Sequence, residues 1–267
     1  MNKIESIILF LGLNITVFCS INDDCYRKPR TKIWDKFING NLNNSFFCGN
    51  AGGLPGDFSD SDLKFAKNIG IKFIHIKEFL DNEKINYKVK YPIDFSLINY
   101  GKIIKFQPDK QEVIINLGFP GSGKSFYTKK NILPHNYSLI NKDTLKTEKK
   151  CLQLLEKSLQ EHKNIVIDNT NLSKEIRKNY LDIILPYKYK VRCFWFNTPY
   201  DICIHNSYFR NFITDNKVPI VPKIVYNIMK KKFSPPKHNE GFSEIKEINF
   251  ILELDDKEKR LYEQYFY

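Results

Sequence analysis

Glu112–Ser125 reads E-V-I-I-N-L-G-F-P-G-S-G-K-S. Val113, Ile114, Ile115 and Leu117 make an apolar, largely β-branched run, the pattern of a strand buried on both faces of a parallel sheet. The run ends in Gly118 and continues as G-x-x-x-x-G-K-S, with Gly118, Gly123, Lys124 and Ser125 at the fixed positions. Glycines let successive backbone N–H groups curl round a phosphate without Cβ clashes. The helix that follows turns its positive end toward the same anion. Lys124 can reach the β- and γ-phosphates of ATP, and the Ser125 hydroxyl can ligate Mg²⁺. Gly118, Pro120, Gly121, Ser122, Gly123, Lys124, Ser125 and Phe126 form the candidate nucleotide-binding set. The stretch predicts an α/β fold in which a parallel sheet feeds a phosphate loop.

Two later stretches repeat the strand-then-polar-residue pattern. Tyr137–Ile140 leads into Asn141-Lys142-Asp143-Thr144, and Asn164–Ile167 into Asp168-Asn169-Thr170-Asn171. In an open α/β sheet the strand C-termini face the ligand crevice. A carboxylate there can take the proton of an attacking hydroxyl, the role expected of Asp143. Asp168 stands where a carboxylate would hold a Mg²⁺-bound water or orient an acceptor. Thr144 is the expected cap of a helix over Lys146–Gln160, and Ser173 of the next one. Tyr189–Phe196 reads as a further strand and Asp201–Asn211 as a helix. That helix carries Arg210, placed to neutralise charge on a transferring phosphoryl group, and His205, read as a buried hydrogen-bonded histidine. Ile176, Tyr180, Ile183 and Ile184 read as a core stripe. A closing strand is expected over Glu247–Leu254.

The 267 residues are 42% hydrophobic and 14% aromatic, enough for one large or two small cores. Lys and Arg exceed Asp and Glu by 42 to 30. That balance favours an anionic partner, nucleic acid before a membrane surface. Lys217–Lys237 holds six lysines and no acidic residue. With Tyr226 and Phe233 nearby, it can track a nucleic-acid backbone. Cysteines stand at 19, 25, 48, 151, 193 and 203, with no C-x-x-C and no zinc spacing, the usage of an intracellular protein with reduced thiols. Ile7–Phe18 has some look of a signal peptide. Glu5 before it and Asn14 and Thr16 within it favour a short helix, a turn at Gly12 and a strand over Asn14–Ser20. No apolar run is long enough to cross a membrane.

Before the phosphate loop, Phe46–Asn50 and Ile71–Ile76 read as strands and Ser61–Ile69 as a helix. Ala51–Asp62 is a glycine- and carboxylate-rich loop. Asp57, Asp60 and Asp62 read first as a solvated loop and helix cap. Asp81–Asp109 reads as an irregular connector. The expected domains are therefore 1–80, a linker at 81–109, and 110–267.

Y-R-K-P, W-D-x-F, F-x-G-x-A-G, D-F-S-x-x-D and N-x-G-I-x-F occur in that order in the first half. The second half carries G-F-P-G-S-G-K-S, N-K-D-T-L, I-D-N-T-N, R-C-F-x-F, H-N-x-x-F-R and E-G-F-x-x-I. Together they resemble the polynucleotide kinase 3′-phosphatase family. The resemblance implies a partial haloacid dehalogenase-like α/β domain, then a P-loop kinase domain. It implies ATP and Mg²⁺, Asp143 as general base, Lys124 and Ser125 at the phosphate and metal positions, Asp168 as a second active-site carboxylate and Arg210 as lid arginine. Lys142 stands where the family commonly has Arg, and Tyr208 where a second basic residue often precedes the lid arginine. In the first half Lys28 matches the family lysine, and Asp57 and Asp62 the later acidic positions. Asn50 replaces a metal-binding Asp, so Asn50 and Asp57 would form a degenerate metal site. No D-x-D-x-T nucleophile segment precedes Lys28 in the sequence. The phosphatase half is thus expected to be inactive unless a separate chain completes it, and half a sheet predicts an exposed edge or a rearranged, smaller sheet. The function expected is transfer of phosphate from ATP to DNA or RNA 5′-hydroxyl ends. The alternatives are a P-loop kinase of a small alcohol, or an end-binding or partner-assembly module.

Overall fold

The computed structural model describes residues 3–82, 84–88, 93–100 and 106–267. Packing divides the chain into two compact units, Met1–Lys90 with Gln264–Tyr267, and Tyr91–Glu263. This division differs from the sequence-drawn boundaries at both ends of the connector and at the last four residues. Lys90, Pro92, Lys102 and Lys105 of that connector lie outside the described residues. No helix among the described residues is long and apolar enough to cross a membrane.

In the first unit, α1 (Lys3–Leu11) buries none of its residues and ends before Gly12, whose φ is +61°. The strand expected over 14–20 does not form. Its alternation finds no neighbouring edge to pair with, and a strand has little stability without one. β1 (Phe46–Gly49) and β2 (Lys72–His75) pair in parallel, Phe46 opposite Lys72 and Gly49 opposite His75. Of the two expected outcomes, an exposed edge or a rearranged, smaller sheet, the described residues form the smaller sheet. The crossover helix α2 (Ser61–Ile69) stops at Gly70, whose φ of +88° suits glycine, and turns Leu63 and Ala66 onto Ile71 and Phe73. A short α3 (Ile76–Asp81) follows, and Tyr87 packs its ring 5.1 Å from Phe73. Asn68 and Lys64 of α2 and the buried Arg30 hydrogen-bond the backbone of Tyr265, Tyr267 and Phe266, so the final residues belong to this unit.

The second unit opens with β3 (Asn99–Tyr100) and the six-residue β4 (Glu112–Leu117), every residue of which is buried. Val113, Ile115 and Leu117 face one core and Ile114 the other, as period-2 geometry requires of a strand covered on both faces. Then come α4 (Lys124–Tyr127), β5 (Ser138–Ile140), α5 (Lys142–Leu145), α6 (Glu148–Gln160), β6 (Ile165–Ile167), α7 (Lys174–Ile184) and β7 (Lys190–Trp195). They are followed by α8 (Tyr200–Ile213), α9 (Lys223–Lys232), β8 (Glu244–Glu247), β9 (Ile251–Leu252) and α10 (Asp256–Tyr262). The main sheet runs β5-β6-β4-β7-β8, all parallel.

Three expectations shift here. Thr147, not Thr144, caps α6, its side chain accepting from Lys150 N. Lys146 takes a φ of +71°, which breaks the helix expected to start there. The expected closing strand divides: Glu244–Glu247 pairs with β7, where Ser243 N and Ile248 N bond Val191 and Trp195 carbonyls, and Ile251–Leu252 pairs with β3. Ile176 is 39% exposed and lies off the core stripe, while Tyr180 and Ile184 are buried. Ser173 caps α7 as expected, accepting from Ile176 N.

Candidate functional site

Strand β4 sets the site. Beyond Leu117 the chain turns into a loop whose glycines cannot be replaced cheaply. A Cβ on Gly118 would stand 2.6 Å from Ser122 Oγ, and one on Gly121 only 2.4 Å from the Cys203 carbonyl. Gly121 and Gly123 also hold φ of +78° and +94°, in the region that favours glycine. The loop carbonyls are tied outward. Thr198 Oγ1 donates to Ser122 O at 2.9 Å, Asn206 Nδ2 to Gly121 O at 2.7 Å and Tyr226 OH to Pro120 O at 3.0 Å. The opening N–H groups of α4 have no acceptor within the helix, so they and the loop amides are the donors available to an anion. This is a cradle for phosphate.

Lys124, the first residue of α4, is buried. Its Nζ donates to Gly118 O at 2.9 Å, Phe119 O at 2.7 Å and Ser122 Oγ at 3.3 Å. Burial pushes its pKa down to about 8, opposed by the charges of Asp168 and Asp143 and assisted by that of Arg210. The three residues expected to work with Lys124 therefore all lie within electrostatic reach of its ammonium.

Asp168 follows β6 and is buried, with Oδ1 accepting from Asn116 Nδ2 at 3.1 Å. The same amide donates to Thr128 Oγ1 at 2.7 Å. Asn141 holds two roles: its Oδ1 caps α5 by accepting from Thr144 N, and its Nδ2 donates to Asp168 O at 2.7 Å. Lys142 N donates to Asn169 Oδ1 at 2.8 Å. These bonds lock the ends of β5 and β6 together and put Asp143 on a short helix with its side chain exposed. Ser125 is exposed on α4, and Phe126, half-exposed, carries the Lys130 ammonium 5.6 Å from its ring centre. Arg210 is exposed in the last turn of α8, whose Cys203, His205, Ser207 and Phe209 are buried. His205 is structural as expected: its Nε2 meets the Tyr262 carbonyl at 2.6 Å, and burial lowers its pKa to about 4.

Sequence reasoning assigned Asn116, Asn141 and Asn206 no role and read Tyr226 as part of a nucleic-acid track; Tyr226 is instead fully buried, and all four fix the loop and the acidic residues. Their signal is faint: one asparagine inside an apolar strand, the others on turns or helices.

Mg²⁺ suits this donor set. It is held by one or two protein oxygens together with phosphate oxygens, and Ser125 and Asp168 are the two candidates. Among the described residues no group of three or more His, Cys, Asp or Glu stands together to hold a metal.

The first unit departs from its reading as a solvated loop. Asp62 is buried, with its carboxylate bonded to Lys28 Nζ at 2.5 Å and Ala51 N at 3.1 Å. Asp57 accepts from Gly52 N and Leu54 N and meets His75 Nε2 at 3.3 Å. Burial acts to raise the Asp57 pKa, but the Leu54 and Gly52 N–H groups and His75 outweigh it and hold it below the usual carboxylate value. Asp60 is half-buried, paired with Lys64 at 2.9 Å, and it gives α2 no side-chain cap. Two backbone amides occupy Asp57 Oδ2 and His75 meets Oδ1, so the oxygens that a degenerate metal site would need are already engaged, while Asn50 is exposed.

Residues 1–80 match the family model described as Polynucleotide kinase 3 phosphatase, and residues 113–236 one described as AAA domain. The chain is 34% identical over 258 residues to a bifunctional polynucleotide phosphatase/kinase of Schizosaccharomyces pombe, covering 93% of this chain and 63% of that protein. It is 37% identical over 281 residues to a protein of Acanthamoeba polyphaga mimivirus that bears the same description provisionally, covering 87% of this chain and 65% of that one. The chain thus spans just under two thirds of the length of these two relatives. Among solved structures, a fungal RNA kinase aligns with a TM-score of 0.38 at 17% identity, over 57% of this chain and 80% of its own.

Proposed function

We propose, from the premise that this chain belongs to the polynucleotide kinase 3′-phosphatase family, that its second unit transfers the γ-phosphoryl group of ATP to a polynucleotide 5′-hydroxyl. The observation that carries the reading is the buried Lys124 ammonium held on the Gly118 and Phe119 carbonyls of the phosphate loop, with Asp168 tied to the strand before that loop through Asn116 and to the Asp143 segment through Asn141. Asp143 takes the hydroxyl proton. The 5′ oxygen then bonds the γ-phosphorus as the bond to the bridging oxygen breaks and ADP leaves. Lys124 and Arg210 neutralise the charge that spreads over the phosphoryl oxygens. Asp168, held by Asn116, orients the acceptor or a metal-bound water. Mg²⁺, when bound through Ser125 and Asp168, supplies further neutralisation of the phosphate charge.

The same reading gives residues 1–80 no 3′-phosphatase chemistry by themselves. They offer Lys28, Asp57 and Asp62 but no D-x-D-x-T aspartate, and another polypeptide segment would have to provide it. An intracellular setting, where ATP and nucleic acid meet, follows from the proposed reaction.

The test is transfer from γ-labelled ATP to a 5′-hydroxyl oligonucleotide and, in parallel, to gluconate and other small alcohols. Labelled oligonucleotide is expected, and label on the small alcohols alone would sink the reading. Asp143→Asn is expected to cut kcat by about 10²–10⁴-fold, the usual worth of a general base. Its exposed position predicts an unchanged melting temperature.

A further inference from the structure

Phe119 is the second residue of the phosphate loop, and its carbonyl accepts from the Lys124 ammonium at 2.7 Å. Its ring begins an aromatic run that leads away from the loop. The Phe119 centroid is 6.4 Å from Tyr200 and 5.9 Å from Phe233, and Phe233 is 6.3 Å from Trp195. All four rings are half-buried. Tyr200 opens α8, and Phe233 closes α9.

Along α9, Lys223, Asn227 and Lys230 are spaced four and three residues apart and so share one face. That face lies beside Tyr200: its hydroxyl donates to Asn227 Oδ1 at 2.6 Å, and the Lys230 ammonium stands 5.4 Å from its ring centre. Lys223, Asn227 and Lys230 are all exposed.

A purely structural account covers part of this. Phe119, Trp195 and Phe233 pack on the edge of a core cluster. Lys230, Lys231 and Lys232 complement the negative end of the α9 dipole. Lys223 has no such excuse. It occupies the first turn of α9, where a cation is disfavoured and no acidic residue accompanies it. Two lysines on one face of the helix, the second over the Tyr200 ring, fit a polyanion carrying flat bases.

Resting on the reading above, we infer that the Phe119–Tyr200–Lys223–Lys230 face is the track for a single-stranded polynucleotide whose 5′ end lies at the phosphate loop. Tyr200 and Phe119 stack bases, while Lys223 and Lys230 follow the phosphates. The face makes the enzyme prefer a long acceptor to a dinucleotide.

The test uses the full chain and a labelled single-stranded oligonucleotide of about a dozen nucleotides, read by anisotropy across a salt series. In Lys223→Ala/Lys230→Ala the slope of log Kd against log salt is expected to fall by about 1.4, about 0.7 for each phosphate that a lysine no longer neutralises. Tyr200→Ala is expected to weaken the oligonucleotide about tenfold while shifting inorganic polyphosphate, which has charge but no bases, by less than about twofold. Tyr200→Phe keeps the ring and guards against a folding defect, so it is expected to bind the oligonucleotide nearly as well as the native chain. Unchanged oligonucleotide affinity in the lysine and alanine variants overturns the inference. So does an equal loss of polyphosphate binding in Tyr200→Ala. A native chain that binds the oligonucleotide through these residues but never phosphorylates it from ATP retires the kinase reading and leaves the track standing. Phosphorylation that ignores these residues, with no preference for the long acceptor, does the reverse.

Discussion

Lys124 carries its charge where water scarcely reaches. Three loop oxygens surround its Nζ, yet burial still brings its pKa from 10.5 to about 8. Because the folded pKa lies below the unfolded one, the unfolded chain holds more protons between those values. Burying this cation therefore costs the second unit stability below about pH 8, and the cost is relieved as pH rises toward 10.5. The shift corresponds to ~3 kcal/mol. Lys124→Met is expected to abolish nucleotide binding and yet raise the melting temperature at pH 7. The gain should shrink steadily from pH 8 to pH 10. A gain that is constant with pH in paired melts would show that packing, not charge, sets the difference. Stability is thus given up at the residue that function needs charged, and the anion the loop is built for is what would compensate it.

At the scale of elements, the sequence spoke most clearly where one local pattern decided the outcome. α2 runs over Ser61–Ile69 as its pattern predicts, and β4 takes the predicted buried strand. Legibility fell where an element depends on distant partners. Asn116 looks like a flaw in an apolar strand, but its amide joins Thr128 and Asp168, 12 and 52 residues away. The cap of α6 was misplaced by three residues because nothing in Lys146 announces its positive φ. Arg177 is another such case, a fully buried cation on α7 that no sequence pattern singles out. Its Nε and Nη2 take both Glu240 oxygens at 2.8 Å, and Nη1 donates to Asn171, Leu172 and Ser234 carbonyls. The group pins the loop after β6, and so the chain just beyond Asp168, to α7. Glu240→Ala leaves that cation buried without its counter-charge, a change expected to cost about 3–5 kcal/mol. Replacing both partners, as Arg177→Met/Glu240→Leu, should recover most of it. Urea midpoints of the three chains measure this, and a double variant as weak as the single one would contradict it.

For the molecule as a whole, two units share one chain in an order that sequence patterning did not reveal. Residues 264–267 return to the first unit after the whole of the second has been traversed. Patterning missed this because four residues carry no period. Their attachment is made by ring burial and backbone hydrogen bonds rather than by a strand or helix. Tyr265 and Phe266 are buried. Asn68 bonds both the N–H and the carbonyl of Tyr265, Lys64 reaches Tyr267 O at 3.0 Å and Arg30 reaches Phe266 O at 3.3 Å. Arg30 and Lys64 are themselves buried, so removing their acceptors leaves desolvated cations short of partners. The two-stranded sheet and one crossover helix of this unit form a core too small to absorb such a loss. Deleting residues 264–267 is therefore expected to lower the melting transition of the first unit sharply, by several degrees or to the point of unfolding. The second unit keeps its sheet, its phosphate loop and its Asp143 and Asp168, so its own transition should move little and its affinity for ATP should be preserved. Calorimetry and ATP titration on the shortened chain decide it. A single transition that falls together with ATP affinity would mean that the two units unfold as one. The closing residues would then be holding the whole chain rather than its first ninety residues.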